Sequence, residues 1–525
     1  MTISLIMSGA YVSPGLAAEL GELPPAFVPV GTGRLYRLQV NELRKISSEI
    51  YLSLPNCFQI PATDQRLLDE LSVKILYADP NLNIGEALSF CINSIGVYDK
   101  ELTLVYGDTL VTQLEGSSDN CLSIHPAKDQ HNWTLAAELF SANSGIGSDE
   151  VVSGFFKFSN VPLLLQQITI SQGNFMSAIS RYSDIVKLDY LRSGKWYDFG
   201  HVQTYFKSCG VVCTARSFNN LKFVSNQVEK SSKQTAKMLA EINWFRELPE
   251  PLRAFIPAFL GDFDDCRGVG YRLSNTFSST LASLAVFGRL NRHVWARIFR
   301  GCRDFLEAAQ AYESNENYEF DDYYYLKTAA RLDAMSGTSI SNLLHKDLRI
   351  NGTLTPRPLV MAEEASNALQ SLSGTRAGSI VHGDFCFSNI FFDFRSDAIR
   401  VIDPRGMLPD GRISLFGDPM YDIGKLAHSV YGGYDLVIAG SIKARALGQN
   451  IELYDNILDT GSWRGIVQEF EDSGILAPLS RRDLLAILVH LFLSMLPLHK
   501  DSPDRQTAFL GLAAKFYLKM NDEAL

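Results

Sequence analysis

The stretch Val381-His382-Gly383-Asp384-Phe385-Cys386-Phe387-Ser388-Asn389-Ile390-Phe391-Phe392-Asp393, followed by Ile402-Asp403-Pro404-Arg405, sets closely spaced polar groups inside buried-strand patterns. Moving a phosphoryl group requires one carboxylate to orient the acceptor hydroxyl, with an amide and a second carboxylate to hold magnesium against the nucleotide phosphates. Asp384, Asn389 and Asp403 supply those groups. The spacing puts Asp384 and Asn389 at opposite ends of one tight loop and lets Asp403 arrive from the next strand. A β-hairpin whose Asp and Asn merely suit its turns is the structural alternative. Arg405 is a candidate to hold a phosphate or carboxylate of the acceptor.

A second set of carboxylates lies far upstream. Val105-Tyr106-Gly107-Asp108 reads as a strand that delivers Asp108 to the carboxyl edge of a sheet, where open α/β folds bind ligands. Asp198, inside Lys195-Trp196-Tyr197-Asp198-Phe199-Gly200-His201, can share one cation with it. The bland reading of each is a strand-end Asp that caps a loop. Ahead of the Asp384 cluster, Lys230 on a strand and Glu241 on a helix have the separation of the ion pair that positions nucleotide phosphates in kinases, with Lys233 as the alternative lysine. Taken singly, an edge-strand lysine and a solvated helix glutamate are the commoner readings.

These residues need two scaffolds. At 525 residues the chain exceeds what one core organises, and 46% hydrophobic with 20% charged residues is a globular composition. A formal charge of -10 without clustered Lys and Arg excludes an extended nucleic-acid surface. The 8 scattered cysteines suit reduced thiols and a cytoplasmic location, and Leu484 to Leu498 is too short for a membrane span and reads as a core helix. Strands are expected at Ile3–Met7, Glu49–Leu54, Val73–Tyr77 and Leu102–Tyr106, with helices near Leu35, at Asp64–Leu71 and at Gly85–Ile95. That alternation predicts a doubly wound, Rossmann-like α/β sheet with Ser8-Gly9 at the end of its first strand. Gly31-Thr32-Gly33-Arg34-Leu35 reads as a turn.

Downstream, Leu221–Lys230 alternates like one strand, Thr235–Leu248 is helical, and Tyr271-Arg272-Leu273 is placed as the hinge backbone that meets an adenine. With no Gly-x-Gly-x-x-Gly loop before Lys230, a turn at Ser217–Asn220 is left to cover the nucleotide. His293–Ala311 and Tyr318–Leu332 read as helices, the second carrying Tyr323-Tyr324-Tyr325 and, four apart, Lys327 and Arg331. The two cations face an anionic substrate in one reading and solvent in the other.

The order Ser8-Gly9, Pro25 to Val30, Gly85-Glu86-Ala87-Leu88, Gly107-Asp108 and Trp196-Tyr197-Asp198-Phe199-Gly200 resembles the sugar-phosphate nucleotidyltransferases over residues 1–215. The resemblance implies that Ser8, Gly9 and Gly85 contact a nucleoside triphosphate, with CTP and UTP as candidates. It also implies that Asp108 and Asp198 bind magnesium, and it sets Val152–Phe158 beside the sugar site. The family's loop arginine has no counterpart in Gly9-Ala10-Tyr11-Val12-Ser13-Pro14-Gly15, and Ala26 stands where its lysine falls.

Residues 216–525 resemble the aminoglycoside phosphotransferases and choline kinases, a branch of the protein-kinase-like fold, through His382-Gly383-Asp384, Asn389, Ile402-Asp403 and Gly417-Asp418-Pro419-Met420-Tyr421-Asp422-Ile423-Gly424-Lys425-Leu426. This implies a two-lobed α+β domain, small lobe about 216–270 and large lobe about 271–525. Asp384 is then the catalytic base, Asn389 and Asp403 the magnesium ligands, and Lys230 with Glu241 the ATP-binding pair. His382 braces the loop and Asp422 anchors it. Together the halves suggest a bifunctional enzyme of capsule or lipopolysaccharide biosynthesis that phosphorylates a small alcohol or sugar and activates the phosphorylated product. The alternatives are a kinase with a catalytically silent first domain and an antibiotic-modifying phosphotransferase.

Overall fold

The computed structural model describes residues 2–522 apart from 97, 128–130, 132, 141–145, 215–219, 225, 321, 336, 338–339, 370–371 and 373. Contacts divide the chain into two compact units, Met1–Ala215 with Phe287–Arg289, and Arg216–Val286 with Leu290–Leu525.

The first unit is built on seven strands, and they follow from apolar runs that need cover on both faces. They are β1 (Thr2–Met7), β2 (Glu49–Pro55), β3 (Val73–Ala78), β4 (Glu101–Tyr106), then, beyond the separate strand β5 (Thr109–Val111), β6 (Cys121–Pro126), β7 (Glu150–Phe158) and β8 (Asp189–Leu191). Their order is β8-β6-β7-β4-β1-β2-β3. β1 pairs in parallel with β2 and β4, and β2 with β3, so the parallel half that the sequence predicts is present. β7 is the antiparallel insertion between β4 and β6. Helices α1 (Pro14–Leu20), α2 (Leu35–Leu43), α3 (Ala62–Glu70) and α4 (Ile84–Ile95) connect the parallel strands. A capping box between Asn83 and Glu86 starts α4. Helices α5 (Val161–Ile170) and α6 (Phe175–Ser183) lead to β8, and β9 (Trp196–Asp198) then pairs antiparallel with β5 before α7 (Val202–Thr214). The Gly31 to Arg34 turn is a small hairpin whose Arg34 forms a buried ion pair with Asp64 at 3.1 Å.

The second unit opens with a four-stranded antiparallel sheet in the order β10-β11-β13-β12, made of β10 (Asn220–Val224), β11 (Gln227–Ser232), β12 (Phe259–Asp265) and β13 (Gly268–Ser274), with helix α8 (Thr235–Glu247) after β11. Leu221–Lys230 is therefore not one strand. Val224 pairs with Gln227, so the chain reverses between them, which the alternating side chains hide. Tyr271-Arg272-Leu273 is not a connection either, since β13 pairs on both sides, with β11 and β12.

The helical part follows β14 (Ser279–Thr280). It contains α9 (Arg292–Gln310), β15 (Glu313–Glu319), α10 (Lys327–Asp333), α11 (Pro358–Ala368), β16 (Thr375–Ile380), β17 (Ile390–Asp393), β18 (Ala398–Val401) and β19 (Phe416–Gly417). After them come α12 (Pro419–Val430), α13 (Gly461–Asp472), α14 (Arg481–Met495) and α15 (Pro503–Met520). Tyr318–Leu332 is thus strand, then a π-helical turn over Asp322–Leu326, then helix. The strand part shows in the burial of Tyr318 and Phe320 on either side of exposed Glu319, a period of two. Helix Arg481–His499, at 19 residues, is longer than the apolar segment read from sequence and is long and apolar enough to cross a membrane, yet 72% of its most apolar 18-residue stretch is buried in the protein, which fits a core helix.

Candidate active sites

In the second unit the loop that carries Asp384 is fixed by α12. Both oxygens of Asp422 accept backbone N–H groups, from His382 at 2.6 Å and Gly383 at 2.8 Å. Burial pushes the Asp422 carboxyl up to about 7 against those two donors. His382 is fully buried, and burial holds its imidazole down to about 4, so it is neutral. Its Nε2 lies 2.9 Å from the carbonyl of Ile402, which requires the Nε2–H tautomer, and its carbonyl accepts the Arg405 N–H at 2.8 Å. The histidine ties the loop to the strand end that carries Asp403. Gly383 is in the left-handed region, φ +75°, and an added Cβ would stand 2.7 Å from the Cβ of Arg405.

Asp384 keeps 44% of its side-chain surface exposed, and both of its oxygens are engaged. Lys425 Nζ lies 2.8 Å from Oδ1, and Asn389 Nδ2 donates to Oδ2 at 3.1 Å and to the Asp384 carbonyl at 2.9 Å. Burial raises the Asp384 carboxyl, but Lys425 outweighs it and holds the group below the usual carboxylate range. The Lys425 ammonium is itself held above its ordinary value, with Asp384 overcoming burial. Such a carboxylate is a weak base, which suits phosphoryl transfer, where positioning matters more than proton abstraction.

Asp403 follows β18 with φ +58°, a strained conformation for a non-glycine residue. Its Oδ1 lies 3.0 Å from Lys230 Nζ, which also donates to Glu241 Oε2 at 2.7 Å. Lys230 and Glu241 are 3% and 1% exposed, so both commoner readings, the edge lysine and the solvated glutamate, are excluded. Burial raises Glu241, and its Oε2 also accepts from Tyr271 Oη at 2.8 Å. Lys233 is exposed. The fold thus joins Lys230, Glu241 and Asp403, and separately Asp384 and Asn389, through one braced loop. The turn at 217–219 lies outside the described residues.

Magnesium prefers oxygen donors and takes one or two carboxylates beside substrate phosphates. Asp403 offers a half-exposed carboxylate, and Asn389 spends its Nδ2 on Asp384, which leaves its Oδ1 facing only a 3.5 Å contact with Ser388. These groups fit the ion.

In the first unit, Asp108 and Asp198 meet on the β5–β9 pair, where Asp198 is in register with Thr109 and the Phe199 N–H donates to the Asp108 carbonyl at 2.8 Å. Gly200 lies against Asp108, since an added Cβ would stand 2.4 Å from Oδ2. Burial first, and then the Asp198 charge, pushes the Asp108 carboxyl up to about 6. Asp198 accepts from Thr204 and pairs with His201 Nδ1 at 2.9 Å. Two desolvated carboxylates without a lysine or arginine partner are a donor set that fits magnesium; among the described residues no group of three His, Cys, Asp or Glu side chains gathers around an ion position.

The other first-unit candidates are engaged internally. Ser8 donates its N–H to Ser53 Oγ and its hydroxyl accepts the Ala26 N–H, both at 2.9 Å. Gly9 packs on Ala78 and Ser53, and Gly85 packs on Gly173, whose carbonyl would be 2.2 Å from an added Cβ.

Two features escape a sequence reading. One is Lys425, a lone lysine in the buried helical run Ile423 to Ala427, which is the only signal it gives. The other is an aromatic cluster beside Asp198, in which His131 stacks on His201 at 4.4 Å and Trp133 meets Trp196 edge-on at 4.9 Å. His125, 6.1 Å from Trp196, joins it. His125 Nε2, His131 Nε2, Trp133 Nε1 and Trp196 Nε1 are buried without a hydrogen-bond partner among the described residues. Nothing in the spacing of 125, 131, 133, 196 and 201 announces their meeting.

No family model and no curated protein matches the chain. Among solved structures, HddC from Yersinia pseudotuberculosis matches 40% of this chain and 100% of its own, at 16% identity and a TM-score of 0.31. A putative fructosamine-3-kinase from Haemophilus somnus 129PT matches 58% of this chain and 88% of its own, at 12% identity and a TM-score of 0.34. A glucosamine kinase in complex with glucosamine, ADP and inorganic phosphate matches 58% of this chain and 82% of its own, at 13% identity and a TM-score of 0.36. Scores this low carry no argument, and the assignments below rest on this chain's own residues. By element order, the first unit is a parallel-dominated α/β fold. The second is an α+β fold that opens with a four-stranded antiparallel sheet and continues in a mainly helical part.

Proposed function

We propose that the chain is a bifunctional cytoplasmic enzyme of cell-surface glycan biosynthesis. The second unit transfers the γ-phosphoryl group of ATP to a hydroxyl of a small alcohol or sugar. The first transfers a nucleotidyl group to a phosphorylated sugar or alcohol. Phosphorylation followed by nucleotidyl activation are consecutive steps toward capsule or lipopolysaccharide precursors, which is the reason to read the halves together.

The carrying observation is the Lys230–Glu241–Asp403 contact, 2.7 and 3.0 Å, at the same braced loop as Asp384 and Asn389. Lys230, fixed by Glu241, holds the nucleotide phosphates. Asn389 and Asp403 hold magnesium, which when bound neutralises phosphate charge. Asp384 aligns the acceptor hydroxyl and takes its proton as the acceptor oxygen bonds to the γ-phosphorus and ADP leaves with the electron pair of the broken P–O bond. In the first unit, Asp108 and Asp198 would hold a second magnesium, which would neutralise phosphate charge, and the indole and imidazole nitrogens left without partners among the described residues donate to an oxygen-rich acceptor.

One observation favours a second reading, a kinase with a catalytically silent first unit. The loop Gly9 to Gly15 has no cation, and Arg34, in the later Gly31 to Leu35 turn, is paired with Asp64. The test incubates the full chain with each nucleoside triphosphate, magnesium and a panel of sugars, alcohols and their phosphates. Bifunctionality predicts acceptor-dependent ADP from ATP and pyrophosphate from another triphosphate. ADP without pyrophosphate leaves only the second reading, and neither product sinks both.

A further inference from the structure

Next to the loop that carries Asp384, Gly383, Arg405 and Tyr421 line one small depression. Arg405 crosses Gly383, the neighbour of Asp384, and its guanidinium has no ion-pair partner among the described residues. Lys327, on the first turn of α10 after the π-helical turn, donates to the Tyr421 hydroxyl and lies 4.6 Å from the centre of that ring. Arg331, one helical turn on, spends one N–H on the Ser494 carbonyl at 2.7 Å. Among the described residues none of the three cations forms an ion pair with a carboxylate. The carboxylates that face this wall are already used: Asp384 by Lys425 and Asn389, Asp422 by two backbone N–H groups, and Asp418 by Tyr324 Oη and the Met420 N–H. Burial, and then the neighbouring Arg405 and Arg331 charges, draw Lys327 down to about 8.

Three like charges kept together without counter-charges are costly in a folded protein, and they become favourable when an anion arrives. The nucleotide phosphates have their own cation in Lys230, on the Glu241 and Asp403 side. We infer that the acceptor phosphorylated at Asp384 is itself an anion, a small alcohol or sugar that already carries a phosphate or carboxylate group, received by Arg405, Lys327 and Arg331. The inference rests on the phosphotransferase reading of the same site. Arginine forks suit both anions, because each presents two oxygens in the plane the guanidinium offers. The hydroxyl proton still passes to Asp384, the new O–P bond forms as the bond to ADP breaks, and the product carries one more anionic group than the acceptor.

The test measures kcat and KM of the full chain with ATP and magnesium on matched acceptor sets. These are glycerol, glycerol 3-phosphate and glycerate; and glucose, glucosamine, glucose 6-phosphate and glucuronate. At least one anion is expected to exceed its neutral parent tenfold or more in kcat/KM, and the phosphate and carboxylate arms separate the two sources of charge. Arg405→Gln is expected to raise KM for that anion tenfold or more and to move KM for ATP less than threefold. Arg331→Gln gives the same split if Arg405→Gln fails to fold. Neutral or cationic acceptors equal to or better than the anions overturn the inference. So does a variant that moves KM for ATP instead of KM for the acceptor, and so does a protein that binds ATP yet phosphorylates no anion. Each of these leaves the kinase reading in place if any acceptor is phosphorylated; loss of both ATP binding and all phosphorylation removes that reading too.

Discussion

The two units each hold a pair of acidic groups at the end of a strand, and their electrostatics are opposite. In the second unit every reactive carboxylate has a lysine: Asp384 has Lys425 at 2.8 Å, and Asp403 has Lys230 at 3.0 Å. In the first unit Asp108 and Asp198 have no lysine or arginine ion-pair partner among the described residues, His201 pairs with Asp198, and Asp108 is raised to about 6. The difference teaches that acidic side chains at the right spacing are not yet a site. In the second unit Asp384 and Asp403 are paired with lysines before any ligand binds. The first must import a cation, and the loop that would have brought one has none.

The sharpest way to break the comparison is at Asp384. Asp384→Asn should lower acceptor phosphorylation by about 1,000-fold or more, within the range of a lost general base. Pyrophosphate release should stay as in the parent protein. Asp108→Asn should do the reverse, and a coupled-enzyme assay for each product checks both.

Next is the buried pair. Lys230→Met leaves Glu241 charged and buried without its lysine, which costs about 3–5 kcal/mol of stability and roughly 100-fold in kcat/KM for ATP. Thermal unfolding should recover most of the loss in the Lys230→Met, Glu241→Met double variant while phosphorylation does not return.

Lys425→Met should lower kcat by about tenfold and change the pH profile as well. Asp384 is depressed in the folded protein, so its charge persists as pH falls well below the ordinary carboxylate range. Without Lys425, burial dominates, the carboxyl rises, and the acid limb of kcat/KM should move up toward neutral pH. A profile that keeps its acid limb would show Lys425 to be structural only.

The smallest effect is a step near pH 8. Burial and the neighbouring Arg405 and Arg331 lower Lys327 to about 8; burial raises Tyr421, but Lys327, Lys425 and Arg405 outweigh it and bring it down to about 8. Asp384 and His490 also face this pair, the histidine being neutral because burial holds it down to about 3. Whichever partner releases the proton, the Lys327–Tyr421 pair falls from a charge of +1 to zero. KM for an anionic acceptor should therefore rise severalfold as pH passes 8, with KM for ATP steady, and the step should vanish in Lys327→Met.

Much of this was legible in the sequence because local chemistry declares itself. The apolar runs of β1 to β4 give the parallel sheet, and the Asp384 to Asn389 spacing gives a loop, since both depend on neighbours along the chain. What stayed hidden depends on distant residues. Lys425 reaches Asp384 across 41 positions, and the Trp133, Trp196 and His131 cluster is assembled from separate strands and loops. The reversal between β10 and β11 is hidden because Leu221 to Lys230 keeps one strand-like alternation, and Tyr271 reads as a hinge residue although its side chain serves Glu241 from the middle of a sheet. The end of the π-helical turn before Lys327 likewise follows from tertiary packing, which no helical periodicity records.

The most direct measurement follows the phosphorus. Full-length protein is incubated with magnesium, an acceptor and ATP labelled either at the γ- or at the α-phosphorus, beside the Asp384→Asn and Asp108→Asn variants. The account predicts γ-label on the acceptor in the parent protein and in Asp108→Asn, and none in Asp384→Asn. Acceptor labelling that survives Asp384→Asn, or that is lost in Asp108→Asn, contradicts it.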